Sequence, residues 1–446
     1  MAKTRPIIVW QWDEVKKSHL SCYGYKRPTS TKGCDVLAKD GVLFERCVSS
    51  SSLTPVCTPA MWTGKSPNIN GCRDPYGYIK DTLLWGYLQQ KGYTTGGFVS
   101  NGLLSEMHGF HQGLDHFSTP TAGDDIWDSL DSLWRRKFAI PNPGTPEMAG
   151  NWYADEVVDF MKKYKDQNFM VWAQFYETHS GSEGWMIKKK KVLEEGHWPE
   201  GGYYDSKIQV GDTKVLAKWM DTLKDLGLYD DAIILMTSDH GTNLTDDPEK
   251  LMGFGYRIDT ILPPGIPTHP SFYEYDVHVP LVIKGPKDSA FTGGKRIGGM
   301  VRHIDMVPTV LELAGFTHEE VNNFGMEGTS LVPFIAGGEK RVSGLTGYID
   351  EMWELRPQGA KQAFTTEHWK YIRYLSGMYE EFFELVDDPT EISNKIESVK
   401  VNAPQFLRDL RVKCNERLWK TGATAAMDAN EKEIVEARLR GLGYIR

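Results

Sequence analysis

The sequence predicts an α/β fold in which a mostly parallel sheet carries helices on both faces and a smaller antiparallel sheet follows. Over most of the 446 residues, short apolar runs alternate with segments of helical periodicity, a pattern that favours parallel strands joined by crossover helices. This alternation stops near residue 340, where short strand-like runs follow one another directly. We therefore expect an α/β domain over residues 1–340 and a C-terminal α+β subdomain with a helical tail over residues 341–446.

The predicted elements of the first domain alternate between strand and helix. Apolar, β-rich runs predict strands over Ile7–Trp12, Leu43–Val48, Gly96–Ser100, Phe169–Phe175, Ala232–Met236 and Val279–Ile283. Apolar residues at helical spacing predict helices near Ser30–Lys39, Ile79–Gln90, Ala149–Tyr164, Lys207–Leu226 and Ile304–Leu313. Connections of this kind place neighbouring strands parallel to each other.

The predicted C-terminal subdomain is built differently. Short runs with tight breaks predict antiparallel strands over Ala363–Thr366, Trp369–Leu375 and Glu381–Val386. A helix over Ala403–Trp419 is expected to cover this sheet, and the charged tail Asn430–Arg440 has a helical pattern.

Composition and charge exclude several classes of protein. The chain is 40% hydrophobic and 25% charged, with a net charge of -9, so no basic surplus points to nucleic acid or an anionic membrane. No run approaches the roughly 18 apolar residues of a spanning helix, and the N-terminal apolar segment is too short for a signal peptide. The six cysteines show no C-x-x-C spacing and are expected to be reduced. We expect a cytoplasmic protein, for which a homo-oligomer is compatible with the sequence.

Acidic residues and a histidine follow two of the predicted strands. Asp13 and Glu14 follow the first strand, and Asp239 and His240 follow the run Ala232–Met236. Ligands of open α/β sheets bind at the carboxyl ends of the strands, and adjacent buried carboxylates are costly unless a cation neutralises them. Asp13, Asp239 and His240 are therefore predicted to bind one or two divalent cations, with Mn, Zn, Fe, Ca and Mg all compatible. The alternative is a turn carboxylate beside a solvated histidine.

A hydroxyl-rich stretch precedes another predicted helix. Thr54 followed by Pro55 is typical of a helix N-cap and first turn. The helix dipole and a nearby cation would both lower the pKa of a hydroxyl at this position, and helix N-termini also bind phosphate or sulfate. Thr54 is therefore a candidate nucleophile and further metal ligand, with a plain helix cap as the alternative. Asn101, at another strand end, could donate to the substrate or serve only as a turn residue.

Segments spread over nearly the whole chain resemble the sulfatase-like branch of the alkaline phosphatase superfamily. They follow the family order and comprise Asp13–Tyr25, Thr237–Gly241, His278–Ile283, Val301–Thr309, Gly328–Leu331, Trp369–Ile372, Asp387–Glu391 and Leu439–Tyr444. The resemblance implies an alkaline-phosphatase-like fold and a metal-dependent ester hydrolase. It extends to the threonine-nucleophile type, which includes phosphodiesterases and phosphonate monoester hydrolases, and to arylsulfatases.

The nucleophile of the family can be placed in two ways. True sulfatases carry Cys-x-Pro-x-Arg, whose cysteine is oxidised to formylglycine, but Cys57–Met61 has methionine at the arginine position. Counting back ten residues from the landmark Gly64 leads to Thr54, where a related group has an unmodified threonine. The resemblance therefore favours Thr54, with a modified Cys57 as the alternative. Thr58 stands where the relatives of that group have arginine or histidine.

The resemblance also implies roles for other residues. Lys65 matches a basic residue that holds the nucleophile or the anion. His179 aligns with a histidine that contacts the anion or the leaving group, and His269 aligns with a residue facing the leaving oxygen. Glu14 and Glu177 are expected to contact the substrate together with Asn101.

These observations predict a metal-dependent hydrolase that cleaves a small anionic ester through a covalent ester of Thr54. A phosphodiester or phosphonate monoester is expected because an unmodified threonine suits phosphoryl transfer, whereas sulfatases depend on formylglycine. The first alternative is a sulfuric ester hydrolase that uses a modified Cys57. The second alternative is a catalytically altered scaffold that acts as a binding protein.

Overall fold

The computed structural model describes residues 4–26, 28–119, 151–179, 202–242, 271–353, 359–375, 379–420 and 425–441. The predicted fold is confirmed, because a nine-stranded sheet is accompanied by a four-stranded antiparallel sheet. Hydrophobic clusters cover both faces of the larger sheet. Within the described residues, no helix is long and apolar enough to cross a membrane.

The large sheet has the strand order β10-β9-β2-β8-β7-β1-β6-β4-β5. Its strands are β1 (Ile7–Trp12), β2 (Val42–Val48), β4 (Thr94–Val99), β5 (His116–Ser118), β6 (Phe169–Phe175), β7 (Ile233–Ser238), β8 (His278–Lys284), β9 (Lys295–Arg302) and β10 (Arg341–Val342). All neighbours pair in parallel except β8, which is antiparallel to both β2 and β7.

Helices connect the strands and follow the sheet. They are α1 (Cys34–Asp40), α2 (Thr54–Thr63), α3 (Pro67–Asn70), α4 (Leu84–Gln89), α5 (Asn151–Lys163), α6 (Gly202–Val210), α7 (Ala217–Asp225), α8 (Glu274–Val277), α9 (Met306–Leu313), α10 (His318–Asn323) and α11 (Val332–Ala336). A π-helical turn, Gly211–Leu216, joins α6 to α7. Short 3₁₀ turns lie at Lys17–His19, Ser21–Tyr23, Glu106–His108, Tyr176–Thr178, Tyr229–Asp231 and His303–Asp305.

The central strand β1 shows why this sheet is buried on both faces. Ile7 and Val9 contribute to one hydrophobic cluster, whereas Ile8, Trp10 and Trp12 contribute to the other. Successive side chains of a strand point to opposite faces, so a strand covered by helices on both sides is apolar at almost every position. Burial on both faces therefore explains why the run that predicts this strand is apolar at every position except Gln11.

The C-terminal sheet consists of β11 (Gly347–Glu351), β12 (Lys361–Thr365), β13 (Trp369–Tyr374) and β14 (Tyr379–Glu384) in that order. Helices α12 (Ile396–Asn402), α13 (Pro404–Trp419) and α14 (Ala429–Gly441) follow it. Leu407 and Leu410 of α13 pack against Tyr371 and Phe382 of the sheet. The other face of the sheet packs on the large domain through residues such as Ile372 and Phe272.

Three features differ from the sequence-based expectations. Strands β9 and β11 were not predicted, because β9 contains two glycines and β11 ends in two buried acids. The helix expected over Lys207–Leu226 begins at Gly202 and is interrupted by the π-helical turn. The chain also leaves the large sheet only after β10, and a short strand β15 (Ala425–Ala426) returns to pair with β3 (Gly77–Tyr78).

Candidate active site

The candidate site lies where β1, β6 and β7 end side by side. Because these strands are parallel neighbours, the residues that follow them meet at one edge of the sheet. The backbone N–H of Asp13 donates to the carbonyl of Phe175, and that of Asp239 donates to the carbonyl of Trp12. Hydrogen bonding between strand ends therefore brings Asp13 next to Asp239, although they are far apart in sequence.

Each of these two aspartates has one oxygen bound by the protein and one without a partner. Oδ2 of Asp13 accepts from Asn101 Nδ2 at 2.9 Å and from Gln174 Nε2 at 2.5 Å. Oδ1 of Asp239 accepts the backbone N–H groups of Glu14 and His240. The remaining oxygens, Oδ1 of Asp13 and Oδ2 of Asp239, are buried without a hydrogen-bond partner. These two oxygens are therefore available to coordinate a cation.

His240 completes the group and its tautomer follows from its contacts. Its Nδ1 lies 2.8 Å from the carbonyl oxygen of Gly241. Because a carbonyl oxygen only accepts, Nδ1 carries a proton, and Nε2 of the neutral ring offers a lone pair. That Nε2 lies 3.7 Å from Oδ2 of Asp239. The ring therefore presents a basic nitrogen to the same space as the two carboxylate oxygens.

The donor set fits a divalent cation. One ligand atom each from Asp13, Asp239 and His240 lies within 4.8 Å of the others, and all three residues are buried. Burial, together with the charge of Asp239, raises the pKa of Asp13 well above its ordinary value. Two buried carboxylates at this separation are unfavourable without a neutralising charge. Carboxylate and imidazole ligands suit several divalent metals, so the donor set does not select one.

Thr54 reaches this group from the beginning of α2. Its Oγ1 lies 3.2 Å from Nε2 of His240, and the residue is fully buried. The helix cap is Leu53 and not Thr54, so the expectation that Thr54 is the N-cap is wrong. Because Thr54 is the first helical residue, its hydroxyl faces the carboxylate–histidine group. The positive end of the helix dipole stabilises a negative charge at that hydroxyl.

Cys57 lies one turn further along α2 and does not share this position. Its Sγ lies 3.7 Å from the carbonyl oxygen of Thr54, inside the helix. Burial, with smaller contributions from Asp239 and Asp13, raises the pKa of the thiol well above its ordinary value. Among the two candidate nucleophiles, Thr54 therefore holds the helix N-terminus, and the unmodified Cys57 stays a protonated thiol.

Thr58, a neutral residue, stands where the resemblance to the family implies arginine or histidine. Thr58 Oγ1 accepts a hydrogen bond from Gln11 Nε2 at 3.2 Å, and both residues are fully buried. The other end of the Gln11 amide accepts from the indole N–H groups of Trp62 and Trp172, each at 3.0 Å. A buried amide network thus fixes α2 on the central strand at this point.

Glu14 and His179 form the next part of the wall. Glu14 has φ of 63°, in the left-handed region that is rare for residues other than glycine, and its side chain is fully buried. Its Oε2 lies 3.8 Å from Nδ1 of His179, which also lies 3.3 Å from the hydroxyl of Tyr176. Strained backbone of this kind concentrates at functional sites. The substrate contacts expected of Glu14 and His179 remain predictions.

Glu177 is buried beside a lysine of α6. Both of its carboxylate oxygens lack a hydrogen-bond partner, and the residue is only 3% exposed. Burial raises the pKa of Glu177 to about 7, against the opposing effect of Lys207. The next residue, Thr178, donates from Oγ1 to the carbonyl of Asp13. Glu177 thus borders the carboxylate–histidine group without belonging to it.

Two expected roles do not fit the structure. Lys65 follows the far end of α2, about 16 Å along the helix axis from Thr54, and its Nζ pairs with Oδ1 of Asp81 at 2.5 Å. The expectation that Lys65 holds the nucleophile is therefore wrong. Asn101 donates to Asp13, and its Oδ1 accepts the backbone N–H of Leu103. Its amide thus orients Asp13, and the expected donation to the substrate is not supported.

Several supporting residues were not predicted, and His269 lies outside the described residues. Gln174 is a polar residue within the apolar run of β6, and this break in the pattern was the available signal. Ser49 donates from Oγ to the carbonyl of Asp239 at 2.7 Å. Ser238 accepts the backbone N–H of Val15 at 2.8 Å. Ser49, in a loop, and Ser238, at the end of β7, carry no comparable signal, because their partners are set by the tertiary fold.

The comparisons with known proteins agree with this architecture. The family model described as Sulfatase matches residues 5–316. A second model, described as N-sulphoglucosamine sulphohydrolase, C-terminal, matches residues 269–418. The first match covers all the described residues of the candidate site, from Asp13 to His240.

Individual relatives and one solved structure extend this finding. The choline-sulfatase of Rhizobium meliloti (strain 1021) is 30% identical over 47% of this chain, and the match spans 36% of that protein. Arylsulfatase K of Xenopus laevis is 25% identical over 84% of this chain, and the match spans 76% of that protein. The phosphonate monoester hydrolase of Agrobacterium radiobacter superposes with a TM-score of 0.67 at 16% identity, over 95% of this chain and 100% of that chain. The last comparison concerns the fold alone.

Proposed function

The chain belongs to the sulfatase family, and we propose that it is a metal-dependent hydrolase of small anionic esters with Thr54 as its nucleophile. The observation that carries the proposal is the contact of Thr54 Oγ1 with His240 Nε2 at 3.2 Å. This contact places the N-terminus of α2 beside His240, whose Nε2 lies 3.7 Å from the unpartnered Oδ2 of Asp239.

Sulfuric esters are the first candidate substrates. The family and the names of the relatives, a choline-sulfatase and an arylsulfatase, support this choice over the phosphoryl substrate that the sequence favoured. The match covers only about a third of the choline-sulfatase, so the ester is proposed as a class and not as one compound.

Phosphonate monoesters and phosphodiesters are the second candidate substrates. They are favoured by one observation, namely that Thr54 and not Cys57 begins α2. Formylglycine forms from cysteine, whereas an unmodified hydroxyl attacks phosphorus readily when its pKa is lowered.

The proposed reaction has two displacements. Asp13, Asp239 and His240 would hold a divalent cation, which would lower the pKa of the Thr54 hydroxyl and offset negative charge on the ester. Thr54 Oγ1 gives its proton to a water molecule and forms a bond to sulfur or phosphorus, while the bond to the alcohol oxygen breaks. His179 is proposed to protonate that alcohol, a role shared in the sequence-based prediction with His269. Water then cleaves the threonine ester, which releases the anion and restores the hydroxyl.

The test is a comparison of four p-nitrophenyl substrates. We expect Mn²⁺-loaded protein to cleave p-nitrophenyl sulfate faster than p-nitrophenyl phosphate, bis-p-nitrophenyl phosphate and p-nitrophenyl phenylphosphonate. The reverse order would favour the second candidate. If Thr54→Ala retained all of these activities, Thr54 would be excluded as the nucleophile. Mass analysis of the tryptic peptide that contains Cys57 serves as the control for formylglycine.

A further inference from the structure

A second buried charged cluster lies between the two sheets. The Nζ of Lys370, on β13, is 2.8 Å from the carbonyl oxygen of Phe272. It is also 2.8 Å from a carboxylate oxygen of Glu274 and 2.8 Å from one of Glu391. Lys370 is fully buried, and its ammonium lies within ion-pair distance of two carboxylates and donates to one carbonyl oxygen. We name Lys370, Glu274 and Glu391 the lysine cluster.

The lysine cluster holds the short segment Ser271–Val277 of the large domain. The backbone N–H of Glu274 donates to Oε2 of Glu391 at 2.6 Å. Within the segment, Asp276 Oδ2 accepts from the backbone N–H and the hydroxyl of Ser271. Helix α8, which occupies most of this segment, is only four residues long. A helix of one turn has little stability of its own, so its position depends on these external contacts.

The same segment is bound to both arms of the candidate active site. The carbonyl of Asp276 accepts the backbone N–H of Gly241 at 2.6 Å, and the carbonyl of Val277 accepts that of Ser49 at 2.8 Å. Gly241 follows His240 and accepts from its Nδ1. Ser49 precedes the nucleophile helix and also donates to the carbonyl of Asp239. Two consecutive carbonyls of α8 therefore set the separation of the metal-ligand arm and the nucleophile arm.

The backbone segments that carry Gly241 and Tyr275 approach each other closely. A Cβ atom on Gly241 would lie 2.2 Å from the carbonyl oxygen of Tyr275. The contact consequently requires glycine at position 241 and leaves little space for α8 to shift without moving His240.

We propose that Lys370 is a positioning residue of the active site, acting through α8 on His240 and on the loop before Thr54. The proposal deepens the function proposed above and rests on it. Lys370 touches neither the substrate nor the metal ligands, and the C-terminal sheet contributes to the site through this side chain.

The test compares Mn²⁺ binding in variants of the full chain. The double variant Lys370→Met with Glu391→Gln removes both charges of the Lys370–Glu391 ion pair. We expect calorimetry on chelator-treated protein to give an Mn²⁺ affinity lower by about 10-fold or more, because residues that orient metal ligands commonly have effects of this size. The matched control is Arg73→Met with Asp350→Asn, which removes another buried pair, with contacts at 2.5 and 3.0 Å, that does not touch Ser271–Val277. This control should bind Mn²⁺ within about twofold of the wild type.

A second variant and a second readout cover a failure of folding or of binding. Glu391→Gln alone should fold and should weaken Mn²⁺ binding by about two- to fivefold. Hydrogen exchange at the amides of Gly241 and Ser49 should accelerate in each Lys370 or Glu391 variant and not in the control, even without metal. Unchanged affinity and unchanged exchange in Glu391→Gln would overturn the proposal. If wild-type protein binds Mn²⁺ but cleaves no ester, the proposed function fails. Mn²⁺ affinity and hydrogen exchange still test the positioning role of Lys370 in that case.

Discussion

Two of the buried charged clusters among the described residues have opposite properties. In the active-site cluster, two carboxylates lie together and each retains an oxygen without a partner. In the lysine cluster, one ammonium is shared between two carboxylates and a carbonyl. Because a buried charge without a partner is unfavourable, the first arrangement persists only if a ligand completes it. Paired carboxylates without a cationic side chain thus mark the site of chemistry, and carboxylates that share an ammonium mark a joint of the architecture.

The largest expected effect is at Thr54. Thr54→Ala removes the hydroxyl at the start of α2 that contacts His240, so we expect kcat/KM for the best p-nitrophenyl ester to fall by at least about 10³-fold. Stability should change by less than about 1 kcal/mol, because the lost contact is a single hydrogen bond. Cys57→Ala is the matched control and should keep activity within about threefold. The opposite pattern would transfer the nucleophile to Cys57.

Removing a charge should have opposite effects on stability in the two clusters. Asp13→Asn keeps an oxygen for Asn101 and Gln174 and relieves repulsion from Asp239, so metal-free protein should become more stable by about 1 kcal/mol. Its Mn²⁺ affinity should fall by about 100-fold or more. Lys370→Met removes the cation beside Glu391, whereas Glu274 keeps its contacts with Arg46 and His278. This variant should lower stability by about 3–5 kcal/mol. Urea unfolding of chelator-treated protein measures both changes in stability. If both variants were more stable than the wild type, or both less stable, the contrast between the two clusters would be contradicted.

The pH dependence of stability should report Glu177. The pKa of this residue is about 7 in the folded protein, against an ordinary value of 4.5, so the folded state binds the proton more tightly. Stability should therefore fall as the pH rises from 4.5 through 7.

Glu177→Gln tests this slope directly. The variant should be more stable than the wild type at about pH 8, by about 1–3 kcal/mol, and should show a flatter profile. Part of the slope should remain, because burial also raises the pKa of Glu391 to about 7. The exposed Glu397, changed to Gln, serves as the control and should leave the profile as it is. A profile unchanged in Glu177→Gln would show that Glu177 is charged throughout.

The smallest effect is expected at Lys65. Because its ammonium pairs with Asp81 at the far end of α2, Lys65→Ala should leave kcat and KM within about twofold and should change stability by at most about 1 kcal/mol. Steady-state kinetics on the same p-nitrophenyl ester measures this. A large loss of kcat would contradict the placement of Lys65 outside the active site.

The sequence predicted the large sheet well because its strands are covered on both faces. An apolar run such as Ile7–Trp12 has one interpretation when every side chain is buried. The same logic placed Asp13 and Asp239 at one edge, since residues that follow parallel neighbours must meet. Strand β9, with its two glycines, gave no such signal.

The supporting contacts were harder to predict because they depend on distances that spacing does not encode. Lys65 matches a family position but lies beyond the other end of a ten-residue helix. Asn101 was expected to face the substrate, yet the tertiary fold turns its amide to Asp13. The role of Ser49 depends on α8, whose position is set by contacts from the C-terminal sheet.

The reversed direction of β8 has a consequence for how this scaffold acquires new specificities. Because β8 is antiparallel to β7, the chain leaves the sheet at Ser238 and re-enters it at His278 on the same rim. A connection whose two ends share a rim can lengthen, shorten or be exchanged without altering the register of any strand. Because the described ends of this connection carry Asp239, His240 and α8, an exchange that keeps the active site would have to begin after Thr242 and end before Ser271.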